Sequence, residues 1–181
     1  MTTLSKQQMD AAQEFANIAI SALRLSQVVH AETVVAATAR MAGTYLFRSF
    51  GFKVTGLKPG QAVLSDAANE QGPLLIQIAG AVLSRIGIKL DNSQSGGTTN
   101  SDNKPMLKFL ETQKKLEPLY APVKARLGLS GEEAAQAAAV ATALLIRHCA
   151  NVLDPNIAFG IAAYGFVEGS KTAPEPVDIS P

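Results

Sequence analysis

The chain has 181 residues with sixteen Lys and Arg against fifteen Asp and Glu, a size suited to one core and a balance that offers no overall field to a polyanion, so nucleic acid is not an expected partner. Hydrophobic residues make up 47% of it, mostly Ala, Val, Leu and Ile, with no Trp; that composition favours helices that close tightly on one another. A lone cysteine, Cys149, excludes an internal disulfide, and the opening residues Met1 to Gln8 carry no basic stretch followed by an apolar run, so the expectation is a soluble cytoplasmic protein with neither a secretory signal nor a membrane span.

The fold expected is all-α, a single-domain bundle of about six to seven helices over residues 1–168. A long polar loop near 87–104 interrupts it, and residues 169–181 read as a loose C-terminal tail. The first helix runs from Ser5 to Leu25, because Ser5-x-x-Gln8 is a capping-box pattern and Met9, Ala12, Ala16, Ala19 and Leu23 recur at helical spacing. A second helix spans Ala31 to Phe50 and ends at Gly51. Thr33, Ala37, Arg40, Thr44 and Arg48 make its expected wet stripe, whereas Val34, Val35, Thr38, Met41, Ala42, Tyr45 and Leu46 face the core. Ala36, Ala39 and Gly43 form a strip of small residues that lets another helix approach closely, within the chain or across an oligomer seam.

From Phe52 to Leu64 the helical period lapses around Gly56, Pro59 and Gly60, leaving room for one short extended piece. A short helix to Gln71 is then expected to break at Gly72-Pro73. The helix after it, Leu74 to Ile86, is apolar nearly all round and is therefore expected at the centre of the fold. Residues 91–103 contain no aliphatic or aromatic side chain and read as a disordered loop. Pro105 restarts a helix to Glu117 that Pro118 and Pro122 are expected to kink or divide, with a final short piece reaching Leu127. Ser130-Gly131-Glu132-Glu133 repeats the capping-box pattern and opens a helix to Leu153, and Asp154-Pro155 starts the last helix, ending at Val167.

Few residues are equipped for chemistry. The two histidines are His30 and His148; His148 shares a row with Ala137, Ala141, Leu144 and Val152, so it is expected inside, as a hydrogen-bonded core histidine or as part of a site. Arg147 falls in a solvated row with Gln136 and Asn151 and is expected to pair with Asp154. No His-x-x-x-His, Glu-x-x-His or Cys-x-x-Cys spacing occurs, and on one helix His30 and Glu32 would point about 200° apart, so neither a metal nor a cofactor is expected. Cys149 reads as a buried, inert thiol. Asp66, Asn69 and Glu70 share a face that reads as solvated.

Charge is unevenly spread. Residues 104–126 hold Lys104, Lys108, Lys114, Lys115, Lys124 and Arg126 against Glu111 and Glu117, and residues 127–181 are acidic. That asymmetry suits attraction across a helical hairpin or an acidic protein partner for the 104–126 segment; Phe109, in an apolar row with Met106, Leu110 and Leu116, reads as core and not as a base-stacking platform. The function expected on these grounds is that of a non-catalytic interaction or regulatory protein, homo-oligomeric through an apolar helix face. The competing expectation is a small-molecule-binding helical domain or enzyme, its pocket lying between Leu74–Ile86 and Ala134–Leu153 and lined by Tyr45, Gln77 and His148.

Overall fold

The computed structural model describes residues 4–25, 28–52, 56–91 and 104–176, and it is an all-α bundle, with 69% of the described residues helical. In chain order its elements are α1 (Lys6–Ala22), β1 (Arg24–Leu25), β2 (Val28–Val29), α2 (Ala31–Ser49), α3 (Asp66–Arg85), α4 (Phe109–Arg126), α5 (Gly131–His148) and α6 (Pro155–Ser170). The two strands pair antiparallel, Arg24 opposite Val29 and Leu25 opposite Val28, and serve only to turn the chain between α1 and α2.

Helix starts follow the local chemistry. The Ser5 hydroxyl accepts from the Gln8 N–H at 3.2 Å while the Gln8 amide oxygen accepts from the Ser5 N–H at 2.8 Å. Ser130 and Glu133 make the same reciprocal pair at 3.1 and 2.8 Å, and hydrogen bonding of the Glu133 carboxyl by the Ser130 backbone N–H, with the Ser130 side chain adding to it, holds that carboxyl below its ordinary range. Asp154 caps α6 by accepting from the Asn156 N–H at 2.8 Å, with Pro155 at the first helical position. Its carboxylate is therefore committed to the cap, and Arg147, exposed as expected, forms no ion pair with it among the described residues.

The centre of the bundle is α2, not the Leu74 to Ile86 segment. Every residue of α2 from Thr33 to Phe47 is buried, and the helix is enclosed by α6, α5, α4, α3 and α1. Alanines and one glycine in α2 let neighbours close in from all sides, whereas the longer side chains of α3 bury one row, Ala68, Gly72, Leu75, Ala79 and Leu83, and leave Leu74 exposed and Ile78 half-buried. Apolar content alone misranks two helices when one of them is built for close approach. Alanine-rich α5, buried through most of its length, packs between α2, α1 and α3.

Pro73, expected to break a helix, lies inside one, as do Pro118 and Pro122, expected to kink or divide theirs. α3 runs unbroken through Pro73, and α4 through Pro118 and Pro122. All three occupy exposed positions, as do Asn69 and Lys114 four residues before the first two; water can reach the carbonyls that lose a partner there, which lowers the cost of each proline.

Past Ser170 the backbone remains tied to the bundle as far as it is described, to residue 176. Thr172 bridges Ala62, with the Val63 N–H donating to the Lys171 carbonyl at 2.7 Å and the Ala173 N–H to the Gln61 carbonyl at 2.8 Å. This bridge supplies the short extended piece anticipated between Phe52 and Leu64. Ala173 is fully buried. The expected polar loop falls almost wholly on residues 92–103, outside the described residues.

Candidate functional site

The stripe of α2 expected to be wet is buried and polar. Thr33 Oγ1 accepts from the Met106 N–H at 2.9 Å, Thr44 returns its hydroxyl to the Arg40 carbonyl at 2.9 Å, and Arg40, its side chain 10% exposed, donates from Nε to Glu168 and from Nη1 to the Leu107 carbonyl, each at 2.5 Å. A turn further on, Arg48 grips Glu117 through Nε at 2.7 Å and Nη2 at 3.0 Å. Its Nη2 also donates to the Glu175 carbonyl at 2.7 Å, while Gln113 holds the same residue, accepting from the Glu175 N–H at 2.9 Å. The hydrophilic row is paired by α4, α6 and the C-terminal segment, which is why it can be enclosed.

The strip of small residues is occupied within the chain. α6 crosses α2 there, placing Gly165 over Ala36 and Ala39 and Gly169 over Arg40 and Gly43; a Cβ on Gly165 would meet Ala39 Cβ at 2.9 Å and the Ala36 carbonyl oxygen at 3.0 Å. Gly165-x-x-x-Gly169 thus fits against Ala39-x-x-x-Gly43, the spacing that puts small residues on one helix face. Beside this crossing lies a cavity of about 150 Å³ lined by Ala36, Arg40, Lys104, Pro105, Ile161, Tyr164 and Gly165. A second, of about 270 Å³, is bounded by Phe47, Arg48, Phe52, Pro174 and Pro176.

The three residues expected to line a pocket are placed apart in environment. Tyr45 is 3% exposed, its hydroxyl has no hydrogen-bond partner among the described residues, and burial together with the nearby Glu117 pushes its phenol well above the ordinary range. Gln77 and His148 are both exposed. Neither cavity is lined by any of the three. The expectation of an interior His148 is overturned by where its row leads: Ala137 and Ala141 are buried, Leu144 is half-buried, and His148 and Val152 emerge as α5 ends. A fixed apolar row describes burial only as far as the neighbouring helices extend.

His30 caps α2 from outside the helix, so the angular separation from Glu32 expected on a single helix does not apply. Its Nδ1 lies 2.8 Å from Thr33 Oγ1 and 3.4 Å from Glu32 Oε2. No group of three His, Cys, Asp or Glu side chains converges as a metal site among the described residues. Cys149 is buried, and desolvation, with Glu32 adding to it, raises its thiol pKa. Asp66, Asn69 and Glu70 are exposed as expected.

The basic segment meets different partners from those its charge pattern suggested. Arg126 pairs with Glu14 of α1, 2.5 Å apart, and α4 packs chiefly on α2 and α1. Phe109 is core, and so is Tyr120, which stacks on Phe15 with ring centroids 4.2 Å apart and donates its hydroxyl to the Phe15 carbonyl at 2.9 Å. Neither ring is available to stack on a base. Lys108, Lys114 and Lys115 are exposed.

The outward face of α6 is the least accounted-for surface. Ile157, Tyr164 and Val167 are 39%, 65% and 41% exposed, Gly160 lies between them, and the one charged side chain of the helix, Glu168, is held by Arg40. No helix among the described residues is long and apolar enough to cross a membrane. Comparison with known proteins finds no match: no family model, no curated protein and no solved structure is significantly similar to this chain.

Proposed function

We propose that this chain is a non-catalytic interaction protein that self-associates, two copies meeting through the outer face of α6. One observation carries the reading: α6 is apolar on nearly every side, its one charge, Glu168, being held by Arg40, yet the bundle covers only part of it, leaving Ile157, Gly160, Tyr164 and Val167 in a row without a charge. A helix that is apolar all round belongs in an interior, and a surface helix ordinarily turns charged residues outward. Asp91 bonds to Asn156 of α6 and Lys104 lines a cavity with Tyr164, and the residues between them, 92–103, include no aliphatic or aromatic side chain. Gly160 has no atom within 4 Å of where a Cβ would stand, so a second helix can approach most closely there. A two-fold arrangement presents the same row to itself and closes after two copies, leaving no apolar face to grow further.

Sedimentation velocity over a concentration series tests this directly. The wild-type chain should sediment faster as concentration rises. Val167→Glu and Ile157→Lys, both at exposed positions, should remain monomeric with unchanged helical circular dichroism. A wild-type chain that stays monomeric throughout, or variants that associate as it does, would refute the proposal.

A further inference from the structure

The cavity beside the α2 and α6 crossing is distinct from the outer row of α6, sharing with it only Tyr164, and it combines features that a solvated dent does not. Its wall is mostly apolar, from Ala36, Pro105, Ile161 and Gly165, yet Arg40, its side chain nine-tenths buried, and Lys104 are also among the residues that line it. Arg40 is fixed by two hydrogen bonds, from Nε to Glu168 and from Nη1 to the Leu107 carbonyl. Its Nη2 has no hydrogen-bond partner among the described residues. A pre-oriented guanidinium with free N–H groups is suited to a carboxylate, because the cost of ordering the side chain has already been met by the fold.

Charge and volume narrow the ligand. Glu168 neutralises one of the two cations, so Arg40, Lys104 and Glu168 together leave a single positive charge facing the opening. That matches a monoanion better than a phosphate ester. A volume of about 150 Å³ is comparable with the engineered apolar cavity that holds benzene. We infer that this cavity binds a small monocarboxylate with a compact apolar body, the body against Ile161 and Ala36 and the carboxylate between Arg40 Nη2 and Lys104.

Sodium benzoate is the probe, with benzyl alcohol as its uncharged counterpart, in an amide chemical-shift titration of the full chain. Benzoate should give saturable shifts centred on residues 36, 40, 104, 105, 161, 164 and 165, and benzyl alcohol should bind more weakly. Lys104→Glu, at an exposed position, should weaken benzoate by about fivefold, the scale of a partly solvated charge pair. Ile161→Phe, which fills the cavity, should abolish the response where circular dichroism shows it folded. Shifts that do not saturate, equal binding of the alcohol, or an unchanged affinity in Lys104→Glu would each overturn the inference. Lys104 lies outside α6, so Lys104→Glu should still self-associate, which keeps failure here separate from failure of the α6 interface.

Discussion

Gly43 of α2 and Gly169 of α6 meet backbone against backbone: a Cβ on Gly169 would lie 2.9 Å from the Gly43 Cα, and one on Gly43 would lie 2.6 Å from the Phe166 carbonyl oxygen and from the Ser170 N. The two helices that make the most intimate contact in the bundle can do so only because neither has a side chain at that point. Arg40 and Glu168, the neighbouring pair, then close the crossing with a partly buried ion pair.

Gly43→Ala should therefore destabilise the chain although alanine is the better helix former, since the added methyl meets backbone atoms that cannot rotate away. Overpacking of this kind costs about 1–3 kcal/mol, against the 0.5–1 kcal/mol or so that alanine gains in a helix interior. Gly160→Ala is the control: nothing stands within 4 Å of its Cβ position, and it should raise stability by about 0.5–1 kcal/mol. Urea midpoints at low protein concentration, with unchanged slope, measure both.

Tyr45 and Tyr120 should respond in opposite senses to loss of the hydroxyl. Tyr120 donates to the Phe15 carbonyl, so Tyr120→Phe should cost about 0.5–1.5 kcal/mol. Tyr45 encloses a hydroxyl with no partner, so Tyr45→Phe should be neutral or stabilising by up to about 1–3 kcal/mol. Thermal unfolding of the two variants beside wild type separates these outcomes; a strongly destabilised Tyr45→Phe would mean that its hydroxyl is satisfied after all.

Alkaline pH should unfold the chain through the same two phenols. Burial raises both above their ordinary value of 10.0. Below that value the stability they confer is complete. Above it the unfolded chain has shed these protons while the folded chain keeps them, so stability falls as pH rises. Tyrosinate absorbance and circular dichroism recorded together should show two of the three tyrosines ionising only as helix is lost. Ionisation of all three before any loss of helix would contradict the burial.

Features set by chemistry within one turn were legible in the sequence. The capping boxes at Ser5 and Ser130 and the Asp154-Pro155 start need only residues three or four apart, and all three are in place. Features set by partners were not. Arg40 and Thr44 read as solvated because the carboxylate and carbonyl that enclose them come from Glu168, Leu107 and the backbone of α2 itself. Pro73 reads as a break because its exposure on the finished helix is a property of the packing. The strip Ala36, Ala39, Gly43 reads as a seam from the sequence alone, and its counterpart lies on α6. The signal was present: Gly165 and Gly169 repeat the four-residue spacing of Ala39 and Gly43.

Disulfide trapping at Gly160 tests the central claim most directly. Gly160→Cys introduces a thiol where no neighbouring atom interferes, and Cys149, the only native thiol, is buried. If two copies meet through the outer row of α6 about a two-fold axis near this residue, mild oxidation should convert Gly160→Cys to a covalent dimer, and adding Val167→Glu should prevent it. A thiol at position 160 that stays monomeric under oxidation, while the same chain sediments as a dimer or as a monomer, would contradict the interface.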